Sequence, residues 1–200
     1  MEKELNVTEM ERSTLVTQLP LIDKISDSKL KKLVIKMWVR LWRESPYKDT
    51  GEAPNYLCKI DDGETLVRHT NTVTKMAEAI AQQFKQPYGI NLNHDILLAG
   101  AILHDVDKLV LYERQGNSVQ LTTLGRKVTH GEYGAMVAEE IGLPQEVVNI
   151  IASHSPVERK ALPATIEAVL VASCDEANFQ SYRLMTGKGL WRKSPSVNLM

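Results

Sequence analysis

Apolar residues recur every three to four positions along most of this chain, and in one place they run without a break. Leu30, Leu33, Val34, Met37, Trp38, Leu41 and Trp42 follow i, i+3, i+4, i+7 spacing and predict an amphipathic helix over 29–43. Ser26-Asp27-Ser28 supplies its N-cap, and Lys31, Lys32, Lys36 and Arg40 form a solvated basic face. A second stripe, Leu66, His69, Val73, Met76, Ile80 and Phe84, predicts a helix over 64–84. Between them, residues 44–63 hold Pro46, Gly51, Pro54 and Gly63 and read as a long loop that can act as a lid. The unbroken run is Ile96 to Leu103. It is too apolar for a surface helix, and its polar start and low β-branched content favour a helix buried on all sides.

Further on, Thr129 and Glu132 read as a capping box that opens a helix ending at Gly142. Pro144 starts another helix, with Val147, Ile150, Ile151 and His154 on one side and Ser155-Pro156 at its end. Pro163 opens a last long helix bearing Ala168, Val171, Ala172, Asp175 and Phe179. Pro20 starts a short helical turn over 21–25, and the residues before it are mostly polar. A hairpin around Gln115-Gly116-Asn117 is compatible with the irregular pattern of residues 109–128.

Two hundred residues suit one compact domain. A net charge of −1 argues against a protein that coats nucleic acid or a membrane surface. Cys58 and Cys174 are far apart, which excludes a disulfide scaffold and a thiolate zinc site. The N-terminal residues lack the apolar core of a signal peptide and no stretch approaches a membrane span, so the expectation is a soluble cytoplasmic protein.

The polar residues on the inward faces are the informative ones. His104-Asp105 closes the buried run, where desolvating an imidazole and a carboxylate is costly without a partner. His69, His130, His154 and Asp175 also fall on inward faces, each one helix and loop from the next. One such histidine is ordinarily a hydrogen-bonded core residue; six such groups, with few basic residues to pair them, call for a shared metal. Nitrogen and carboxylate donors without thiolate suit iron, manganese, zinc, cobalt or nickel, with magnesium also compatible. Six ligands exceed one tetrahedral site, and two metals bridged by Asp105 would use them all. A second pair, His94-Asp95, is explained as a helix start capped by Asn93. No glycine-rich phosphate loop is present, and Trp38 and Trp42 read as core at helical spacing.

His69, then His104-Asp105, then Asp175 resembles the HD-domain superfamily of metal-dependent phosphohydrolases, over about residues 63–183. His104-Asp105-Val106-Asp107-Lys108 is similar to the family's His-Asp-x-x-Lys segment, although Asp107 stands where many members carry glycine. The resemblance implies an all-α helical bundle with the metal site at its centre. Residues 1–62 would pack on that core and 184–200 would form a tail. It implies that His69, His104, Asp105 and Asp175 hold one metal and that Asp105, His130 and His154 hold a second, with a water or hydroxide between. The implied activity is hydrolysis of a phosphoester of a nucleotide or other small molecule by a metal-activated hydroxide. Asp105 and Lys108 would be catalytic, and Lys108, Arg68 and Arg126 would contact substrate phosphate, with Lys127 beside Arg126 and Asp107 either orienting the water or lying at a surface helix end. A nucleic-acid polymer is not an expected substrate, and a homo-oligomer is compatible. The alternatives are a di-iron oxygenase with the same ligands and a non-catalytic metal-binding regulatory module.

Overall fold

The computed structural model describes residues 5–57, 64–155 and 161–191. Cys58 and Gly63, Pro156 at the expected end of one helix, and the end of the tail lie outside the described residues.

The polar start holds a helix that the apolar pattern did not reveal, α1 (Glu9–Gln18). Its signal is a capping box: Thr8 Oγ1 accepts from the Glu11 amide at 3.3 Å, and Glu11 Oε2 accepts from the Thr8 amide at 2.8 Å. A 3-10 turn (Pro20–Lys24) follows, then α2 (Ser28–Glu44), capped by Asp27. Arg43 near the end of α2 grips both oxygens of Glu11, each at 2.7 Å, and so straps α1 onto α2. The basic face of α2 is not only solvated, because Arg40 pairs with Glu44 and with Glu140 on a later helix.

The hydrogen bond from Arg43 holds the Glu11 carboxyl at about 2, against an ordinary 4.5. The strap therefore contributes fully above pH 4.5 and is lost as pH falls through the folded value near 2. Glu11→Gln should be less stable than the parent at neutral pH, and the gap should close between pH 4.5 and 2. Denaturant midpoints across that range check it, and a gap independent of pH would contradict the strap.

Residues 45–57 have structure of their own. They hold a 3-10 turn (Thr50–Glu52) and are pinned to the next helix by the Asn55 amide on Glu64 O at 2.9 Å and the Leu66 amide on Ala53 O at 2.8 Å. That helix, α3 (Leu66–Tyr88), starts after its cap Thr65 and outruns the expected end by four residues to the left-handed Gly89. The unbroken run forms α4 (His94–Leu103), with every residue from Ile96 to Leu103 buried and α2, α3 and two later helices packed around it. Asn93 caps it, Asp95 accepts from the amides of Ser26 and Asp27 at 2.8 Å each, and His94 meets Glu78, so the second His-Asp pair is structural.

Beyond α4 come a short α5 (Lys108–Leu111) and the hairpin β1 (Tyr112–Gln115) and β2 (Ser118–Leu121), paired Tyr112 to Leu121 and Gln115 to Ser118. The bundle is completed by α6 (Glu132–Ile141), α7 (Gln145–Ser153) and α8 (Ile166–Met185). Two expected starts shift. Pro163 does not open α8, which Thr165 caps instead, accepting from the Ala168 amide at 3.2 Å. The Thr129 hydroxyl does not cap α6; it donates to Glu132 Oε2, and the cap residue is Gly131. One apolar core runs from Leu15 on α1 to Cys174 on α8. Among the described residues, no helix is long and apolar enough to cross a membrane.

Candidate metal centre

Five separate segments deliver side chains to one point beside the end of α4. His69 sits in the first turn of α3, His104 and Asp105 follow α4 directly, His130 precedes α6, His154 follows α7, and Asp175 lies midway along α8. His69 and His104 are wholly buried, Asp105 and His154 nearly so, and His130 and Asp175 are mostly buried.

The tautomers follow from the outer partners. His104 Nδ1–H donates to Ala101 O and His154 Nδ1–H donates to Ile151 O, both at 2.7 Å. His69 Nδ1–H donates to Asn178 Oδ1 at 2.7 Å. All three rings therefore turn Nε2 inward. There, His69 Nε2 lies 3.2 Å from His104 Nε2, 3.2 Å from Asp105 Oδ2 and 3.1 Å from Asp175 Oδ1. On the other side of the same carboxylate, Asp105 Oδ1 lies 3.3 Å from His154 Nε2 and 3.7 Å from His130 Nε2.

Lone pairs converging at these distances repel unless positive charge lies between them. Two of the atoms, Asp105 Oδ1 and His154 Nε2, are buried and make no hydrogen bond. Two of the buried histidines respond as an electron-rich cage requires. Burial works against a charged imidazole, yet hydrogen bonds with Asp105, Asp175 and Glu64 hold His69 well above its ordinary value. Burial also opposes, and Asp105 again overcomes, an upward shift of His154, whereas burial wins at His104 and lowers it. Asp105 stays well below the usual carboxylate range because Lys108 and His104 outweigh its burial, and His69 does the same for Asp175, at about 2. Cys174, next to Asp175, is pushed up to about 11 by burial and the nearby carboxylate, so it brings no thiolate.

The donors separate into two groups whose ligand atoms lie within 4.8 Å of one another: His69, His104, Asp105 and Asp175, and Asp105, His130 and His154. Nitrogen and oxygen donors, orphaned buried atoms and anchored rings fit divalent metal ions. A sequence model of the HD domain matches residues 66–177. This chain belongs to the HD-domain family.

The HD domain here is similar to dihydroneopterin 2′,3′-cyclic phosphate phosphodiesterase of Methanocaldococcus jannaschii, 32% identical over 166 residues, 79% of this chain and 66% of that protein. It is also similar to ribonuclease Y of Thermotoga petrophila, 31% identical over 113 residues, and of Pseudothermotoga lettingae, 27% identical. Each of those matches covers 56% of this chain and 18% of the relative. The chain thus spans just under two thirds of the phosphodiesterase and under one fifth of ribonuclease Y. No solved structure gives a significant match.

Around the HD-domain centre lie Lys108, which the sequence had singled out, and residues that the spacing did not reveal. Lys108 is buried, with Nζ 2.6 Å from Asp105 Oδ2 and 3.2 Å from Asn55 Oδ1. Tyr56 lies with its ring 5.7 Å below that ammonium and edge-on to His69, and it joins Phe179 and Tyr182 in an aromatic cap. Glu64 reaches to 3.6 Å from His69 Nδ1. Asn178 had a readable signal, since it stands three residues after Asp175 on the same helical face. Arg68, Arg126 and Lys127 are exposed, and no ion pair joins them to the cluster among the described residues. Asp107 is not at the surface: it is fully buried, and its Oδ2 is turned toward the start of α6.

Proposed function

We propose that this HD domain is a metal-dependent phosphohydrolase acting on a small phosphoester. The observation that carries the reading is the single carboxylate of Asp105, set between two groups of inward-turned ligands. His69, His104, Asp105 and Asp175 would hold one ion, and Asp105, His130 and His154 a second; iron, manganese, zinc, cobalt, nickel or magnesium is compatible. Bound metal ions at such a site supply a nucleophile at neutral pH and neutralise charge on the phosphoryl group.

The chain's own groups have defined tasks. Lys108 spends two of its three N–H donors on Asp105 and Asn55, which leaves one for a phosphoryl oxygen. Asn178, Ala101 O and Ile151 O keep the three rings from turning. Tyr56 and the loop that bears it exclude water from the His69 side. The exposed Arg68 and Arg126 are assigned to outer charges of the incoming substrate. The name of the phosphodiesterase relative points to a small 2′,3′-cyclic phosphate as the first substrate to try.

The test is metal content on protein purified without oxygen or chelator, followed by hydrolysis of bis-p-nitrophenyl phosphate and a 2′,3′-cyclic nucleotide. Two metals per chain and turnover that chelator removes and metal restores are expected. Oxygen consumption without ester cleavage would overturn the reading in favour of an oxygenase; no metal after reconstitution would leave only a binding module.

A further inference from the structure

We propose that Asp107 is the positioning residue of the second half-site: it fixes the backbone turn that carries His130, so that the second metal depends on it selectively. The inference rests on the two-metal reading above and adds a residue that belongs to neither ligand group.

Asp107 is fully buried, two residues beyond Asp105. Its Oδ2 accepts from the Gly131 amide at 2.8 Å and from the Gly134 amide at 2.9 Å. Those amides belong to the unsatisfied first turn of α6, which has no side-chain cap of its own. A cap reaching across more than twenty residues does what Thr129 does not, and it ties the turn holding His130 to the segment holding His104 and Asp105. The fit leaves no slack. Gly131 has φ +78°, and a Cβ there would lie 2.9 Å from Ile151 O and 3.3 Å from His154 Cε1. A Cβ on Gly134 would lie 2.9 Å from Ile151 Cγ2 and 3.1 Å from Asp107 Oδ2. The turn is thus wedged between Asp107 and α7, which ends at the other ligand of this half-site, His154. With the two hydrogen bonds removed, the His130 turn loses both of its backbone ties to the Asp107 side chain.

The experiment compares parent, Asp107→Ala and Asp107→Asn protein by manganese titration, with metal per chain as the readout. Asparagine keeps one oxygen able to accept from both amides, whereas alanine keeps none. Asp107→Ala should retain one tightly bound metal and bind the second about 10- to 100-fold more weakly, as removal of an outer partner of a ligand does. Asp107→Asn should recover the second metal to within a few-fold. Parental binding of both metals by Asp107→Ala, or equal loss of both, overturns the proposal. So does an Asp107→Asn protein as defective as Asp107→Ala, which would indicate a role for the charge itself. Failure of the two-metal reading is visible separately, in the parent. In that event amide exchange at Gly131 and Gly134 decides: faster exchange in Asp107→Ala supports the positioning role, and unchanged exchange removes it.

Discussion

Asp105→Asn should bind neither metal at parental affinity and should lose phosphoester hydrolysis by on the order of a thousand-fold or more. Asp105 is the residue common to both ligand groups, with Oδ2 facing His69 and His104 and Oδ1 facing His130 and His154. An amide in its place presents one neutral oxygen to one side and an N–H donor to the other. It also leaves Lys108 buried beside an uncharged partner. Removing one member of a buried pair costs about 3–5 kcal/mol when the other charge is left uncompensated, so the asparagine variant should also melt lower than the parent. Metal analysis, turnover and a melting curve on the same preparation check all three. Two metals in Asp105→Asn would mean that the carboxylate does not bridge.

Trp38→Ala should cost about 3–5 kcal/mol, roughly a 6–20 °C fall in melting temperature for a chain of this size. Trp38 is a large side chain with no exposure, and its Nε1–H donates to Ile102 O at 3.1 Å. It therefore fills the space between α2 and α4 and also satisfies a carbonyl near the end of α4, two residues before His104. Alanine leaves a cavity and an orphaned acceptor together. Trp38→Phe should recover most of the packing and none of the hydrogen bond, which separates the two contributions. Metal affinity should fall in Trp38→Ala as well, because the cavity lies behind the segment that aims His104 and Asp105. A melting temperature within two degrees or so of the parent would show that the core closes around the loss.

The parts legible in the sequence were those in which burial leaves a periodic trace. The run from Ile96 to Leu103 had to be interior and its polar start favoured a helix, and the stripe of α3 put His69 on its inner face. What escaped was set by contacts between distant segments. The Glu64, Tyr56 and Asn55 side chains arrive from a loop with no period. α1 is weakly amphipathic, and its capping box lay in a stretch dominated by polar residues. The start of α6 was misread because the local Thr-x-x-Glu pattern suggested a cap, whereas a carboxylate more than twenty residues upstream occupies those amides. Asp107 then looked like a stray charge beside the site because its partners were far away in the chain.

The anchored rings bear on how metal enters and leaves. His69, His104 and His154 are each held by Nδ1 to an acceptor of the protein itself, so their Nε2 atoms keep their aim whether or not an ion is present. Loading would then require no reorientation of those three rings. If these residues hold metal as proposed, the barrier to exchange would lie in access and dehydration, past Asp175, the most exposed of the six candidate side chains. On that reading the centre would take up its metal as a finished receptacle and give it up slowly.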